Sequence, residues 1–510
     1  MPNPKYKFYL IFIIVVAAIL RLFWLHRLPV SLSVDEVSIG YNAYSLFTTG
    51  RDQYQRPLPL VFESLGDFKP PVYIYLTVVS QFLFGLTEFA VRFPSAVFGA
   101  LAVLLTFMIT YRLTRRKDLA LLAGLLLAIS PWHIRFTRGS YEANVALVFL
   151  LGAFYSLLNF RRPTLGPVLL ILSMYTYHTP KLLAPLLGLG MWFIYKKSLP
   201  KSTLLAMLLL LPLLFAGGQT RVGQTLITGD VEINTTISQS LGQLQISRAW
   251  LVVWSVINRY LQYFDPSFLF FRGLDLTLNQ IVDVGVAYLV ELPIFIIGLS
   301  VVIRRRLFPK ALWWWIIISP LPAGLTLNDY HPIRSLTLVL PLVMIITVGI
   351  TSILDRLPLA KYLLVAAYLA NFIFVADYYL LHTAMQKSDY SFDPLKAVAI
   401  SALKNSPHYS KIVIDPQFGK DGPYIMGVPD VYILFYGRIH PRVYWASRTP
   451  EGFANYAFRH IEWTLDKAMP HTLLIGSPWS LPEHDIAPSQ VQEVIRYHNH
   501  QPAYLVVKTQ

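Results

Sequence analysis

Residues 87–117, TEFAVRFPSAVFGALAVLLTFMITYRLTRRK, decide the fold. Positions 89–111 form an apolar run at the length of roughly 20 residues that a helix needs to cross the hydrocarbon core of a bilayer. The run is followed by Arg115, Arg116 and Lys117, a basic cluster of the kind retained on the cytoplasmic side. The same pattern repeats along the chain. Apolar runs near 8–25, 89–111, 119–135, 141–160, 164–180, 182–195, 203–217, 281–303, 311–327, 335–353 and 362–381 predict about eleven transmembrane helices. Further basic clusters, at Lys5 and Lys7, Arg161 and Arg162, Lys196 to Lys201, Arg304 to Arg306, and Arg356 with Lys361, fall at every second crossing. They predict a cytoplasmic N-terminus and an extracytoplasmic C-terminus. Arg21 and Trp24-Leu25-His26 stand where small residues precede a signal-peptide cleavage site, so the first run reads as a retained span.

Composition agrees with a mainly α, polytopic membrane protein. Of 510 residues, 55% are hydrophobic and 14% charged, and the mean hydropathy of +0.50 is too apolar for soluble domains of this length. The formal net charge of +15 does not indicate a nucleic-acid partner, because the basic residues are distributed between apolar runs instead of covering one solvated face. The chain has no cysteine, which excludes disulfides and thiolate metal sites.

Two external loops are long, at about 26–88 and 218–280, and long loops tend to carry function. Within the first, VYIYLTVVSQFLF at 72–84 is apolar but too short to cross, which predicts a helix lying along the membrane surface. Residues 1–381 therefore read as a transmembrane catalytic domain and 382–510 as a small extracytoplasmic α/β domain. In the latter, KIVID, VYILFY, RVYW, TLLIG and AYLVV read as strands, and 393–405 and 487–498 as helices.

The first loop opens with LSVDEVSIGYNAYSLFTTG, residues 32–50. Ser33-Val34-Asp35-Glu36 fits a capping box, in which Ser33 caps a helix and Glu36 reaches back to its amide. Capping alone does not account for two adjacent carboxylates beside hydrocarbon, where ionised groups must be hydrated or paired. Tyr41, five residues beyond Glu36, joins them as a substrate-binding candidate. Lys69 precedes Pro70 and Pro71, which stiffen the backbone and present the lysine from a rigid arm.

The stretches VDEVSIGYNAYSLFTTGRDQYQRPLPLVFESLGDFKPPVYIYL and FGLTEFAVRFPSAVFGALAVLL resemble the first loop and second span of polyprenyl-phosphate-sugar-dependent glycosyltransferases of the GT-C superfamily. The similarity is to the bacterial and archaeal branch near the dolichyl-phosphate-mannose protein mannosyltransferases and the aminoarabinose transferases. SPWHIRFTRGSYEANVAL, YTYHTPKLLAPL, YFDPSFLFFRG and HPIRSL extend the resemblance over about residues 1–381. It implies an inverting enzyme in the cell envelope with a polyprenyl-phosphate-linked sugar as donor. Asp35 would be the catalytic carboxylate, with Glu36 beside it, and Lys69 would lie near the lipid phosphate. The acceptor, whether glycan, lipid or protein, is not implied. The Trp-Trp-Asp motif of oligosaccharyltransferases is missing, since Trp313 to Trp315 form a bare aromatic run.

The chemistry of such a transfer suits these residue types. A base must take the acceptor proton, and positive charge must stabilise the departing phosphate. The helix dipole favours the ionised carboxylate at Asp35 and so makes it a weak base, unless repulsion from Glu36 or a divalent metal cation bound at Asp35 adjusts it. Further substrate-binding candidates are Glu142 beside Arg135 and Arg138, His178 with Lys181, and Arg334 with His331, which could clamp a phosphate. Tyr260, Tyr263, Phe264 and Asp265 fit an aromatic belt or the acceptor side, and Asn234-Thr235-Thr236 is a sequon by pattern only. A membrane transporter or channel is the rival reading. It predicts ionisable groups near the midplane and paired broken helices, whereas here the acids and lysines gather at the outer ends of spans.

Overall fold

The structure, a computed structural model, describes residues 4–64, 66–159, 165–195, 248–273, 284–326, 331–379, 392–419 and 422–509. Helices lie on the apolar runs: α1 (Pro4–Leu22), α4 (Glu88–Thr114), α5 (Lys117–Ile129) with α6 (Pro131–Thr137), α7 (Glu142–Leu158), α8 (Leu165–Met174) and α9 (Pro180–Tyr195). Beyond them come Glu291–Arg304, Lys310–Ile318, Val339–Arg356 and Ala360–Asp377. The run at 203–217, most of the loop at 218–280 and the sequon at Asn234 lie outside the described residues.

Among the described residues, α4, the helical stretch Leu336–Arg356 and Ala360–Asp377 are each long and apolar enough to cross a membrane, and α5 with α6 forms a fourth such unit bent by 57°. The bend follows from sequence. Pro131 cannot donate to the α5 ladder, and it restarts a helix whose first turn is capped by Ser130 accepting from the His133 amide at 3.4 Å. The helices surround one apolar core built on α4, α5, α7 and Val339–Arg356.

Val339–Arg356 and Glu291–Arg304 approach until their backbones nearly touch. A Cβ at Gly298 would lie 2.1 Å from the Ile345 carbonyl oxygen, and one at Gly349 2.1 Å from that of Ile294. Small residues permit this close crossing in a membrane protein. Gly349→Ala is expected to force the helices apart and cost about 1–3 kcal/mol, read as a lower unfolding midpoint in detergent.

The first long loop contributes α2 (Val34–Thr49), a hairpin of β1 (Phe62–Ser64) and β2 (Asp67–Lys69), and α3 (Val72–Phe84). The far end of α3 leaves Val79, Phe82 and Leu83 exposed, as a helix bedded in lipid headgroups would.

The C-terminal part is α/β. Its six-stranded sheet has the order β6-β7-β3-β8-β10-β9, with β3 (Lys411–Ile414), β6 (Gly452–Phe453), β7 (Tyr456–Phe458), β8 (Thr472–Gly476), β9 (Val491–Arg496) and β10 (Pro502–Lys508), while β4 (Gln417–Phe418) and β5 (Ile425–Met426) pair apart from it. Strands β7, β3 and β8 run parallel, and β10 pairs antiparallel with β8 and β9. Three expectations are corrected. VYILFY lies in the helix Pro429–Tyr436 and RVYW in the helix Pro441–Ser447. Both are short apolar runs that periodicity cannot assign, and in each a proline in the first turn starts a helix. Residues 487–498, read as a helix, contain β9. A tight turn in which the Tyr497 amide donates to the Gln501 carbonyl at 2.9 Å folds β9 onto β10, and the ladder overrides local propensity.

Candidate active site

The site begins at the start of α2. Ser33 accepts from the Glu36 amide at 3.3 Å, and the Ser33 amide donates to Glu36 Oε2 at 2.9 Å, so the capping box is present. Glu36 is nearly buried. Its Oε1 accepts from Arg92 Nε at 2.9 Å and from the Ser140 amide at 3.0 Å, and its Oε2 also accepts from Arg92 Nη2 at 3.2 Å. Four donors converge on this carboxylate and occupy both its oxygens. Its geometry is that of a group that holds the start of α2, and the expectation of a catalytic Glu36 is revised accordingly.

Arg92 is the residue that the sequence reading missed. It is fully buried in α4, and besides Glu36 it donates to the carbonyls of Leu25, Pro29 and Ser31 at 3.1, 2.8 and 2.6 Å. All five guanidinium hydrogens are therefore used. An arginine inside an apolar run was the available signal, because buried charge in a membrane protein is retained only with partners.

Asp35, the neighbour of Glu36, points the other way. Its side chain is 65% exposed while that of Lys69 is 5% exposed, and Lys69 Nζ lies 2.6 Å from Asp35 Oδ1. Lys69 closes β2, in register opposite Phe62. The hairpin is tied to α2 by Ser38 and Ser64, whose hydroxyls are 2.7 Å apart, and Pro70 and Pro71 lead directly into α3. A buried amine is thus carried on a stiff arm to an exposed carboxylate.

His178 joins the same arm, with Nε2 2.9 Å from the Phe68 carbonyl oxygen, while the Val72 amide donates to Tyr175 at 3.1 Å. These contacts bring the turn before α9, and with it the half-buried Lys181, up to the lysine arm. Tyr41 is corrected. It is fully buried, its hydroxyl donates to the Ile439 carbonyl at 3.1 Å, and its ring meets Tyr444 edge-on, so it anchors the C-terminal part instead of facing a substrate. Burial pushes its phenol well above the usual range. Glu142 is the first residue of α7, where a carboxylate favours the helix dipole. Arg138, expected beside it, spends donors on the carbonyls of Leu20, Phe23 and Leu28. The contacts of the His331–Arg334 turn run to Tyr263, whose hydroxyl accepts from the His331 amide at 2.9 Å, and to α6, where Trp132 donates to the Pro332 carbonyl at 3.1 Å.

The α/β part grips the loop that precedes Asp35. Tyr432 donates to the Leu32 carbonyl at 2.6 Å and Asp393 accepts from Ser31, while Lys396 pairs at 2.7 Å with Glu88, the first residue of α4. None of these long-range partners is visible in a sequence pattern.

Among the described residues no group of three or more histidine, aspartate or glutamate side chains converges, Glu36 is saturated with donors, and Asp35 faces an ammonium group.

Residues 11–174 match the profile of the dolichyl-phosphate-mannose-protein mannosyltransferase family. No match was found among curated protein sequences. Among solved structures, ArnT from Cupriavidus metallidurans in the apo state aligns with a TM-score of 0.53 at 14% identity, covering 98% of each chain. The same protein bound to undecaprenyl phosphate aligns at 0.52 and 13%, covering 99% of this chain and 98% of that one. The oligosaccharyltransferase of Archaeoglobus fulgidus, in complex with zinc and sulfate, aligns at 0.50 and 13%, covering 84% of this chain and 61% of that one. The site built on Asp35 and Lys69 lies within the part of the chain that carries the mannosyltransferase-family pattern, and the chain as a whole has the fold of ArnT.

Proposed function

We propose that this protein is an integral membrane glycosyltransferase that moves a sugar from a polyprenyl phosphate to an acceptor hydroxyl on the extracytoplasmic side, with inversion. The observation that carries the reading is the 2.6 Å pair between an exposed carboxylate and a buried amine, inside the segment that matches a family named for a lipid-phosphate-sugar donor.

The pair suggests an order of events. In the free enzyme Lys69 neutralises Asp35. The donor phosphate then replaces Asp35 at Lys69 and frees the carboxylate. The acceptor oxygen attacks the anomeric carbon from the face opposite the phosphate, and its proton passes to Asp35. The bond from that carbon to the phosphate oxygen breaks, and its electron pair leaves as phosphate charge opposite Lys69. Glu36, Arg92 and Ser140 fix the start of α2 so that Asp35 stays in place, and His178 braces the lysine arm. We read Lys181, Glu142, Arg334 and His331 as candidates for the wider substrate surface. We further infer that no divalent ion is needed, because Lys69 sits where a cation would; transfer is expected to persist in EDTA, and loss on chelation with rescue by a divalent salt would overturn that inference.

Whether a hexosyl or pentosyl unit moves is read from product. Mass analysis of envelope glycans and lipid-linked sugars in a deletion strain should show one lipid-linked sugar accumulating and one glycan lacking that unit. An unchanged profile would count against the proposal. The topology with about eleven spans carries its own expectation: a reporter active only outside the cytoplasm should work when fused after Thr509 and fail after Arg306.

A further inference from the structure

The helix Ala360–Asp377 buries none of its residues. Between it and α1, α5, α6 and Val339–Arg356 runs an apolar cleft in two adjoining chambers, of about 240 and about 560 Å³, that share Leu20 and Phe372. The upper chamber is lined by Ile19, Phe23, Ile134 and Val375 and closes on Arg135, Arg138 and Tyr379; the lower one ends at Lys361. Arg135 and Arg138 are 7% and 4% exposed. Arg135 keeps a partner in Tyr141 and stacks on the Tyr379 ring at 6.0 Å, yet Arg135 Nε, Arg138 Nε and the Tyr379 hydroxyl are all buried without a hydrogen-bond partner.

Buried donors left open on two cations carry a heavy desolvation cost unless an anion meets them. Here they crown an apolar cleft, so the anion that fits has a hydrocarbon chain. Two features select its kind. Two guanidinium groups match the roughly −1.5 to −2 charge of a phosphate monoester better than the single charge of a phospholipid diester. The helix that walls the cleft has 18 residues, about 27 Å at 1.5 Å per residue, close to the roughly 30 Å of a whole hydrocarbon core and too long for an acyl chain confined to one leaflet. We propose that this cleft is a second lipid site, separate from Lys69, that holds a polyprenyl phosphate with its phosphate on Arg135, Arg138 and Tyr379 and its chain along Ala360–Asp377. The inference rests on the function proposed above. The site connects to the catalytic loop, since α6 leads into Ser140, whose amide holds Glu36. It therefore suits a carrier arriving at or leaving the reaction.

The test uses the full chain in detergent, with undecaprenyl phosphate, geranyl phosphate and phosphatidylglycerol as probes and the shift in unfolding midpoint as readout. Undecaprenyl phosphate should stabilise wild type and Lys69→Ala, and geranyl phosphate should do so less. With the first site removed by Lys69→Ala, adding Arg135→Gln should weaken undecaprenyl phosphate binding at least about tenfold, the scale of one charge-assisted hydrogen bond. Val375→Trp, which fills the cleft from a helix that buries nothing, should do the same even if Arg135→Gln folds poorly. Undiminished binding when either cleft substitution is added to Lys69→Ala, complete loss of binding in Lys69→Ala alone, or equal stabilisation by phosphatidylglycerol would each overturn the assignment. A protein that transfers sugar but binds the carrier independently of the cleft removes this inference alone; one that neither binds polyprenyl phosphate nor transfers sugar removes the proposed function as well.

Discussion

Asp35→Asn should lower the rate of sugar transfer by roughly 10²–10⁴, the usual scale for loss of a general base, while the protein folds as before. The two adjacent acids divide the labour. The capping box uses Ser33 and Glu36, and Asp35 takes no part in it, so an asparagine at 35 leaves the helix start intact. Its effect on stability comes from the weakened contact with the buried Lys69 amine, which an asparagine side-chain oxygen at 35 still partners as an acceptor, so the amine is not left bare. Ser33→Ala gives the opposite result, a local cost of about 0.5–2 kcal/mol with chemistry largely retained. Transfer rates and melting temperatures of the two variants, measured side by side, separate catalysis from capping. Full activity in Asp35→Asn would remove the carboxylate from the mechanism.

Arg92→Met should be the most destabilising substitution in the first hundred residues. It leaves Glu36 buried without its cation and strips donors from the carbonyls of Leu25, Pro29 and Ser31. Breaking a buried pair by removing one partner costs about 3–5 kcal/mol. The double variant Arg92→Met/Glu36→Gln should recover part of that loss, because no unpaired charge remains. Unfolding midpoints in detergent for the two single variants and the double give the coupling directly. If the single and double variants are equally unstable, the ion pair is not what holds α2.

What sequence reveals here depends on the range of the interaction. The start of α2 was legible because a capping box is local, with Ser33 and Glu36 three positions apart. The membrane helices were legible because twenty apolar residues admit few other fates. Glu36 was misassigned because its partner Arg92 is 56 positions away, and nothing in the residues around Glu36 announces a guanidinium. Tyr41 was misread for the same reason, since the carbonyl it meets belongs to Ile439. The apolar runs in Pro429–Tyr436 and Pro441–Ser447 carried a usable sign, the proline in each first turn, which the strand reading passed over. Lys69 was legible as a presented cation because two prolines follow it, and the structure supplies what the sequence lacked, its contact with Asp35.

Whether a lipid phosphate and not a nucleotide carries the sugar is decided by supplying the purified protein with a labelled polyprenyl-phosphate sugar and a whole envelope extract, lipids included, as acceptor. Release of polyprenyl phosphate coupled to label in the acceptor is expected, strongly reduced in Lys69→Ala and in Asp35→Asn, with no label from nucleotide sugars. Transfer from a nucleotide sugar, or consumption of the lipid donor that is indifferent to both substitutions, would contradict the proposed mechanism.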